Sequence, residues 1–208
     1  MNKVLILASG GLDSAVLLKM YDALMYNVTV LSFDYGAYAN KVERQKLIEQ
    51  CNHMKNYTKL ETLEIKIPWT HAKTMDVSEV LYIEMRNLIF LSYAVSLAEK
   101  ENIPKVVIGV IKGAEGYPDT SEDFIARMND LTLSSVGITV EAPLIGMDKS
   151  DVYNLAKSLG VKLRDTTSCF NPHLRTGDPC GKCLGCKEIS QLIDRGRISD
   201  EDNPFIPR

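Results

Sequence analysis

Two groups of residues in this chain have types and spacings that can do chemistry. The first is Ser9-Gly10-Gly11-Leu12-Asp13-Ser14, between a strand-like run and a helix-like one. Two adjacent glycines let the backbone turn tightly and bring successive N–H groups towards an anion. The start of the following helix favours phosphate at the same spot. No lysine follows the glycines, so this is not the G-x-x-x-x-G-K-S/T loop that serves γ-phosphoryl transfer. An ordinary glycine turn is the plainer alternative; two hydroxyls and a carboxylate directly after a strand weigh towards phosphate. The second group is Cys169, Cys180, Cys183 and Cys186, spaced C-x10-C-x2-C-x2-C. Four thiolates match a tetrahedral zinc shell, and Gly181 and Gly185 let the chain wrap an ion. A closed four-cysteine shell leaves no position for water, which makes the zinc structural. A Cys-x-x-Cys redox pair or persulfide chemistry is the alternative. His173 lies in the same stretch as a possible substitute ligand, and Cys51 reads as a small core residue.

These groups need a scaffold, and 208 residues suffice for one domain with a full core. A net charge of −3 gives no overall basic field, so nucleic acid is not the default partner. Clustered rather than scattered cysteines fit a metal site in a reducing compartment. No run of 18 apolar residues occurs, and Val4–Ala8 is too short for a signal segment. A cytoplasmic protein is expected.

Strand and helix signals alternate along the chain. Strands are expected at Lys3–Ala8, Val28–Asp34, Leu63–Ile67, Lys105–Val110 and Ile138–Ala142. Helices are expected at Leu12–Met25, Asn40–Met54, Met85–Lys100, Glu122–Val136 and Asp148–Leu159, the last closed by Gly160. Such alternation predicts an α/β fold, a doubly wound parallel five-stranded sheet covered by helices on both faces. Ligands in such sheets sit at the C-terminal ends of the strands. Those ends carry Ala8–Ser14, Asp34-Tyr35-Gly36 and Gly109 onward. Arg164–Cys186 is rich in Gly, Pro, Thr and Cys and reads as a loop that a metal must order. The expected organisation is a nucleotide-binding α/β body over 1–163 with a zinc-binding segment, 164–208, packed on it.

The Ser-Gly-Gly-x-Asp-Ser form resembles the PP-loop of ATP pyrophosphatases, which cleave ATP to AMP and pyrophosphate on an adenine nucleotide alpha hydrolase-like (HUP-type) fold. With the cysteine cluster, the chain resembles the QueC family of 7-cyano-7-deazaguanine synthases over residues 1 to about 195. Further matching pieces are Phe33-Asp34-Tyr35-Gly36, Arg86-Asn87, Gly116-Tyr117-Pro118-Asp119, Ala142-Pro143-Leu144, Lys149 and Thr167-Ser168-Cys169. The resemblance implies ATP-dependent activation of the carboxylate of 7-carboxy-7-deazaguanine and capture by ammonia, giving an amide and then a nitrile. Ala8, Ser9, Gly10, Gly11, Leu12, Asp13 and Ser14 would hold ATP, with Asp34 and Gly109 beside it. Ser9, Asp13, Ser14 and Lys149 would act on the phosphates, Asp13 also towards Mg2+. Tyr35, Arg86, Asn87, Tyr117 and Asp119 would face the substrate. Arg86 would pair with its carboxylate and Asp119 would accept from its guanine-like edge. Plainer roles stand beside these: a helix-surface arginine, a turn or helix-cap aspartate, a solvated Lys149. A homodimer is implied by the same resemblance.

The departures fall on the substrate side. Ala37 and Ala39 replace an expected Gln-x-His, Glu84-Met85 an expected Pro-Gly, and Thr120-Ser121 an expected Cys-Arg. Ile111–Glu115 departs in residue and length, and Ile189 stands where an arginine is expected. An intact phosphate loop with altered substrate motifs predicts retained ATP activation and a wider, less polar mouth. It also raises a second reading, conjugation of the activated deazaguanine to a protein amine in antiphage defence. A PP-loop tRNA sulfur-transferase is a third, disfavoured by the acidic balance.

Overall fold

The computed structural model describes residues 2–67, 83–112, 117–194, 198–199 and 201–206. Five parallel strands form one sheet in the order β3-β2-β1-β4-β5, from β1 (Lys3–Leu7), β2 (Asn27–Asp34), β3 (Tyr57–Glu64), β4 (Lys105–Val107) and β5 (Thr139–Glu141). Strand order reverses between β1 and β4, so the crevice beyond β1 is the expected ligand position. The helices are α1 (Leu12–Ala23), α2 (Asn40–Asn52), α3 (Arg86–Lys100), α4 (Glu122–Val136), α5 (Lys149–Ser158) and α6 (Leu184–Asp194). None of them is long and apolar enough to cross a membrane.

The strands are apolar on both sides, as a covered parallel sheet requires. Val4, Ile6, Val28 and Val30 face one way and pack with Leu17 of α1, Leu47 of α2, Tyr153 of α5 and Leu192 of α6. Leu5, Leu7, Leu31 and Phe33 face the other way, against Leu91 and Ala94 of α3 and Ile125 of α4. Two cores on opposite faces of one sheet make the doubly wound arrangement.

Several expected boundaries move. The third strand starts at Tyr57 and ends at Glu64, not Leu63–Ile67. It is the sheet edge, and its residues, exposed or half-exposed, alternate Thr58, Leu60, Thr62 with Lys59, Glu61, Leu63; a search for a continuous apolar run passes over that pattern. The fourth strand stops at Val107, and residues 108–112 run on across the strand ends. The loop expected to reach Cys186 gives way at Leu184 to α6, whose buried Gly185, Cys186, Ile189 and Leu192 follow helical spacing.

The start of α3 is held from a distance. No side chain caps it locally, and Met85 before it is left-handed, at φ 49°. Glycine, expected by resemblance at 85, suits that conformation, whereas a residue with a Cβ carries about 1–2 kcal/mol of strain there. Asp119, 3% exposed, accepts from the Asn87 backbone N–H at 2.7 Å, and its carbonyl accepts from Asn87 Nδ2 at 3.1 Å. A buried carboxylate at a helix N-terminus is favoured by the helix dipole and the free amides. Asp119→Ala is expected to destabilise the protein by about 2 kcal/mol, read by urea denaturation. Asp119→Asn, which keeps an acceptor, should recover most of that loss.

Candidate active site

The phosphate loop is closed by its own side chains. Ser14 Oγ donates to the Gly11 carbonyl at 3.0 Å and accepts from the Ser9 N–H at 3.4 Å, and Ser9 Oγ accepts from the Gly11 N–H at 3.4 Å. No side chain caps α1, so the first-turn amides are open to an anion. Gly10 has φ +84°, and a Cβ there would collide with the Glu43 carbonyl of α2. Its own carbonyl accepts from the Thr167 N–H at 3.0 Å and from Gln50 Nε2 at 3.1 Å.

Lys149, the first residue of α5, reaches across to Asp13. Its Nζ lies 2.9 Å from Oδ1 and 3.1 Å from Oδ2, with both side chains at least three-quarters buried. The helix under it is fixed by a reciprocal cap between Asp148 and Asp151. Gly109 leaves room beside the pair, since a Cβ would sit 3.5 Å from Asp13 Cβ and 3.4 Å from Leu17 Cδ1. A lysine and a carboxylate therefore stand together at the mouth of an open helix start.

A second set gathers at the end of β2. Asp34 Oδ1 accepts from the Gly36 N–H at 3.0 Å. Arg86 Nη1 donates to the Tyr35 hydroxyl at 3.3 Å, and its guanidinium lies 5.7 Å from the Tyr35 ring centre and 5.8 Å from that of Phe90. Burial raises the Tyr35 pKa, against the opposing pull of Arg86. Sequence reasoning overlooked Glu43, which joins this set from α2. Its carboxyl accepts from Asn40 Nδ2 at 3.0 Å, and burial pushes its pKa up to about 7; the Asn40 bond and Arg86 oppose the rise, and Asp34 adds to it. Only the change of hydropathy on α2, a glutamate among Asn40, Val42 and Leu47, could have drawn attention to it.

Asn87 and Asp119 are brought together, but in the capping contact described above. Tyr117 begins the 3-10 turn of Pro118–Thr120, and its carbonyl accepts from Thr120 Oγ1 at 2.7 Å. Gly116, and Gly113–Glu115 of the altered segment, lie outside the described residues. At Ala37 and Ala39 the wall is less polar, as expected. Ala39 is buried, and Ala37 sits in an apolar cluster with Ile67, Ile83 and Phe90, so apolar side chains line that wall. Ile189 is buried, packed on the core.

The four cysteines converge. Their sulfurs all lie within 4.8 Å of one another, with Cys180–Cys186 and Cys169–Cys183 at 3.9 Å. Tetrahedral bonds of about 2.3 Å place sulfurs about 3.8 Å apart, so the cage has the size of a metal–thiolate centre. Backbone N–H groups of Cys180, Lys182, Cys183 and Phe170 point at three of the sulfurs at 3.2–3.4 Å. Hydrogen bonds from Cys169 and Cys186 pull the Cys183 thiol well below the usual thiol range. No disulfide forms among the described cysteines. His173 turns instead to Thr176, at 3.1 Å. Cys51 is buried in the core. Gly185 has no room for a side chain against the Ser168 carbonyl, so α6 starts directly on the cysteine loop.

Two measurements test this geometry. The purified protein should carry about one metal ion per chain by elemental analysis. Cys183→Ser should lose it and make the region after Arg164 sensitive to protease. For Glu43, the folded pKa of about 7 exceeds the ordinary 4.5. Its contribution to stability is therefore complete below the ordinary value and is lost as pH rises through about 7. Glu43→Gln should stabilise the protein by on the order of 3 kcal/mol at pH 8 and by little at pH 4, read by urea denaturation.

Comparison with known proteins accords with this architecture. The chain is 32% identical over 220 residues to the 7-cyano-7-deazaguanine synthase of a Nitratiruptor species, covering 96% of this chain and 97% of that one. It is 30% identical over 205 residues to the enzyme of the same name from Campylobacter jejuni subsp. jejuni serotype O:2, covering 89% and 90%. Among solved structures it resembles the U34-tRNA thiolase NcsA from Methanococcus maripaludis, with TM-score 0.56 and 14% identity over 93% of this chain and 65% of that one. NMN synthetase from Francisella tularensis gives TM-score 0.53 and 19% identity over 96% and 79%. At those identities the two structures share the fold alone. The family model described as queuosine biosynthesis protein QueC matches residues 3–191, and the chain belongs to the QueC family.

Proposed function

We propose that this chain activates the carboxylate of 7-carboxy-7-deazaguanine with ATP and captures it with ammonia, forming the amide and then the nitrile. Family membership carries the reading, and an open helix start with Lys149 on Asp13 supports it. A carboxylate is a poor acylating agent. Its oxygen attacks the α-phosphorus of ATP, and pyrophosphate leaves towards the amides of α1 and the hydroxyls of Ser9 and Ser14. Lys149 gives up Asp13 to neutralise the phosphates. Asp13 is then the residue to hold Mg2+, which supplies charge neutralisation on the departing pyrophosphate. Arg86 orients the substrate carboxylate beside Tyr35, while Asp34 and Gly109 border the nucleotide. Ammonia adds to the acyl carbon and AMP leaves, giving the amide. A second adenylation on the amide oxygen, followed by loss of AMP, gives the nitrile.

The four cysteines are assigned to zinc, in a structural role: the cage is closed by protein on all four sides and its ligands are all thiolates. Residues 164–208 act as a metal-ordered segment seated on the 1–163 body through Thr167 and α6.

Incubation with ATP and 7-carboxy-7-deazaguanine, with and without ammonium, tests the reading by mass spectrometry. AMP and pyrophosphate are expected, with amide and nitrile only when ammonium is present. ADP as the main nucleotide product would overturn it. Mass added to a protein instead of the small molecule would favour an amine acceptor. Asp13→Ala is expected to lower turnover by about 10²-fold or more, read by AMP release.

A further inference from the structure

Nitrogen capture has a proton problem that the residues assigned so far do not solve. At neutral pH the donor is ammonium, which has no lone pair to offer. One proton must leave before attack, a second as the C–N bond forms and AMP departs, and two more as the amide becomes the nitrile. Lys149 and Arg86 are cations. Asp13 faces the phosphate side, on Lys149. Asp119 is buried on the Asn87 N–H. Glu188 lies with the Lys149–Asp13 pair and the cysteines, on the phosphate side. Asp34 and Glu43 are left, and Asp34 holds the Gly36 N–H with Oδ1.

Resting on the function proposed above, we propose that Glu43 is the general base of nitrogen capture, taking the proton from ammonium and then from the nitrogen as it bonds to the activated carbon. Its position is fixed twice. The Glu43 carbonyl is packed against Gly10, which locks this turn of α2 to the phosphate loop. Asn40 takes the Ala37 N–H at 2.8 Å with its own oxygen and donates to Glu43 Oε2 at 3.0 Å, orienting the carboxyl. Among the described residues no donor is bonded to Oε1. Arg86, Asp34 and Tyr35 are the charged and titratable groups that act on Glu43 or feel it. A substrate carboxyl held by Arg86 and activated above the phosphate loop therefore lies between the two elements that carry Arg86 and Glu43.

The proton affinity suits the task. Burial raises the Glu43 pKa to about 7, near the operating pH, where a general base is most efficient.

The test separates adenylation from capture. Pyrophosphate–ATP exchange, dependent on 7-carboxy-7-deazaguanine and run without ammonium, reads the first step; amide and nitrile formation from ammonium reads the second. Glu43→Gln should keep exchange within about threefold while amide formation falls by about 10²–10⁴-fold. The break in the pH profile of capture near 7 should vanish in Glu43→Gln, leaving only the steady rise set by free ammonia, and a break should persist, at lower rate, in Glu43→Asp. Hydroxylamine, largely unprotonated at neutral pH, should restore capture in Glu43→Gln because it arrives with its lone pair free. Equal loss of exchange and capture in both variants, with no rescue by hydroxylamine, would overturn the proposal in favour of a structural role. An unchanged rate and pH profile in Glu43→Gln would overturn it as well. A wild-type protein that makes neither amide nor nitrile from ammonium would instead remove the function on which the proposal stands.

Discussion

One carbonyl oxygen, that of Gly10, ties three distant parts of the chain together. It accepts from the Thr167 N–H and from the Gln50 side chain, while the Glu43 backbone closes the space where a Cβ would be. The phosphate loop is therefore clamped between α2 and the cysteine loop as well as by its own serines. Two hydrogen bonds at about 1 kcal/mol each do not offset ordering residues 166–183 at about 1 kcal/mol or more per residue. Thr167 lies two residues before Cys169, so an ion held by the four cysteines would order the very stretch that grips Gly10.

What the sequence made legible was what short-range chemistry dictates. Helix α4 matches its expected bounds because Ser121 caps it, accepting from the Phe124 N–H, and Gly137 ends it in the left-handed conformation. The phosphate loop and the cysteine cage are written in local spacing, and so were found. Edge strand β3 was misplaced because its residues alternate and the others do not. Helix α6 was missed because the glycines and cysteines before it look like loop, and its apolar face is visible only once a core is there to receive it. Asp119 and Glu43 lie deeper still. Their roles depend on contacts with Asn87 and with the 34–86 region, and no pattern within a short window encodes those.

The altered substrate motifs also look different in three dimensions. Met85 takes the left-handed conformation that the glycine expected there would favour, and Asp119 holds the helix start beside it. Ala37 and Ala39 are absorbed into apolar packing rather than left as gaps. Change of residue and change of shape are separate events at this mouth.

Among the described residues around the crevice, cations stand with carboxylates. Lys149 stands on Asp13 near Glu188, and Arg86 acts on a Glu43 that is only partly ionised near neutrality. Such a mouth projects little field beyond about 10 Å, the screening length at moderate salt. An incoming nucleotide then gains no long-range acceleration, and its capture depends on amides that act only at contact. Association should be slow by the standards of steered ligands and nearly indifferent to ionic strength.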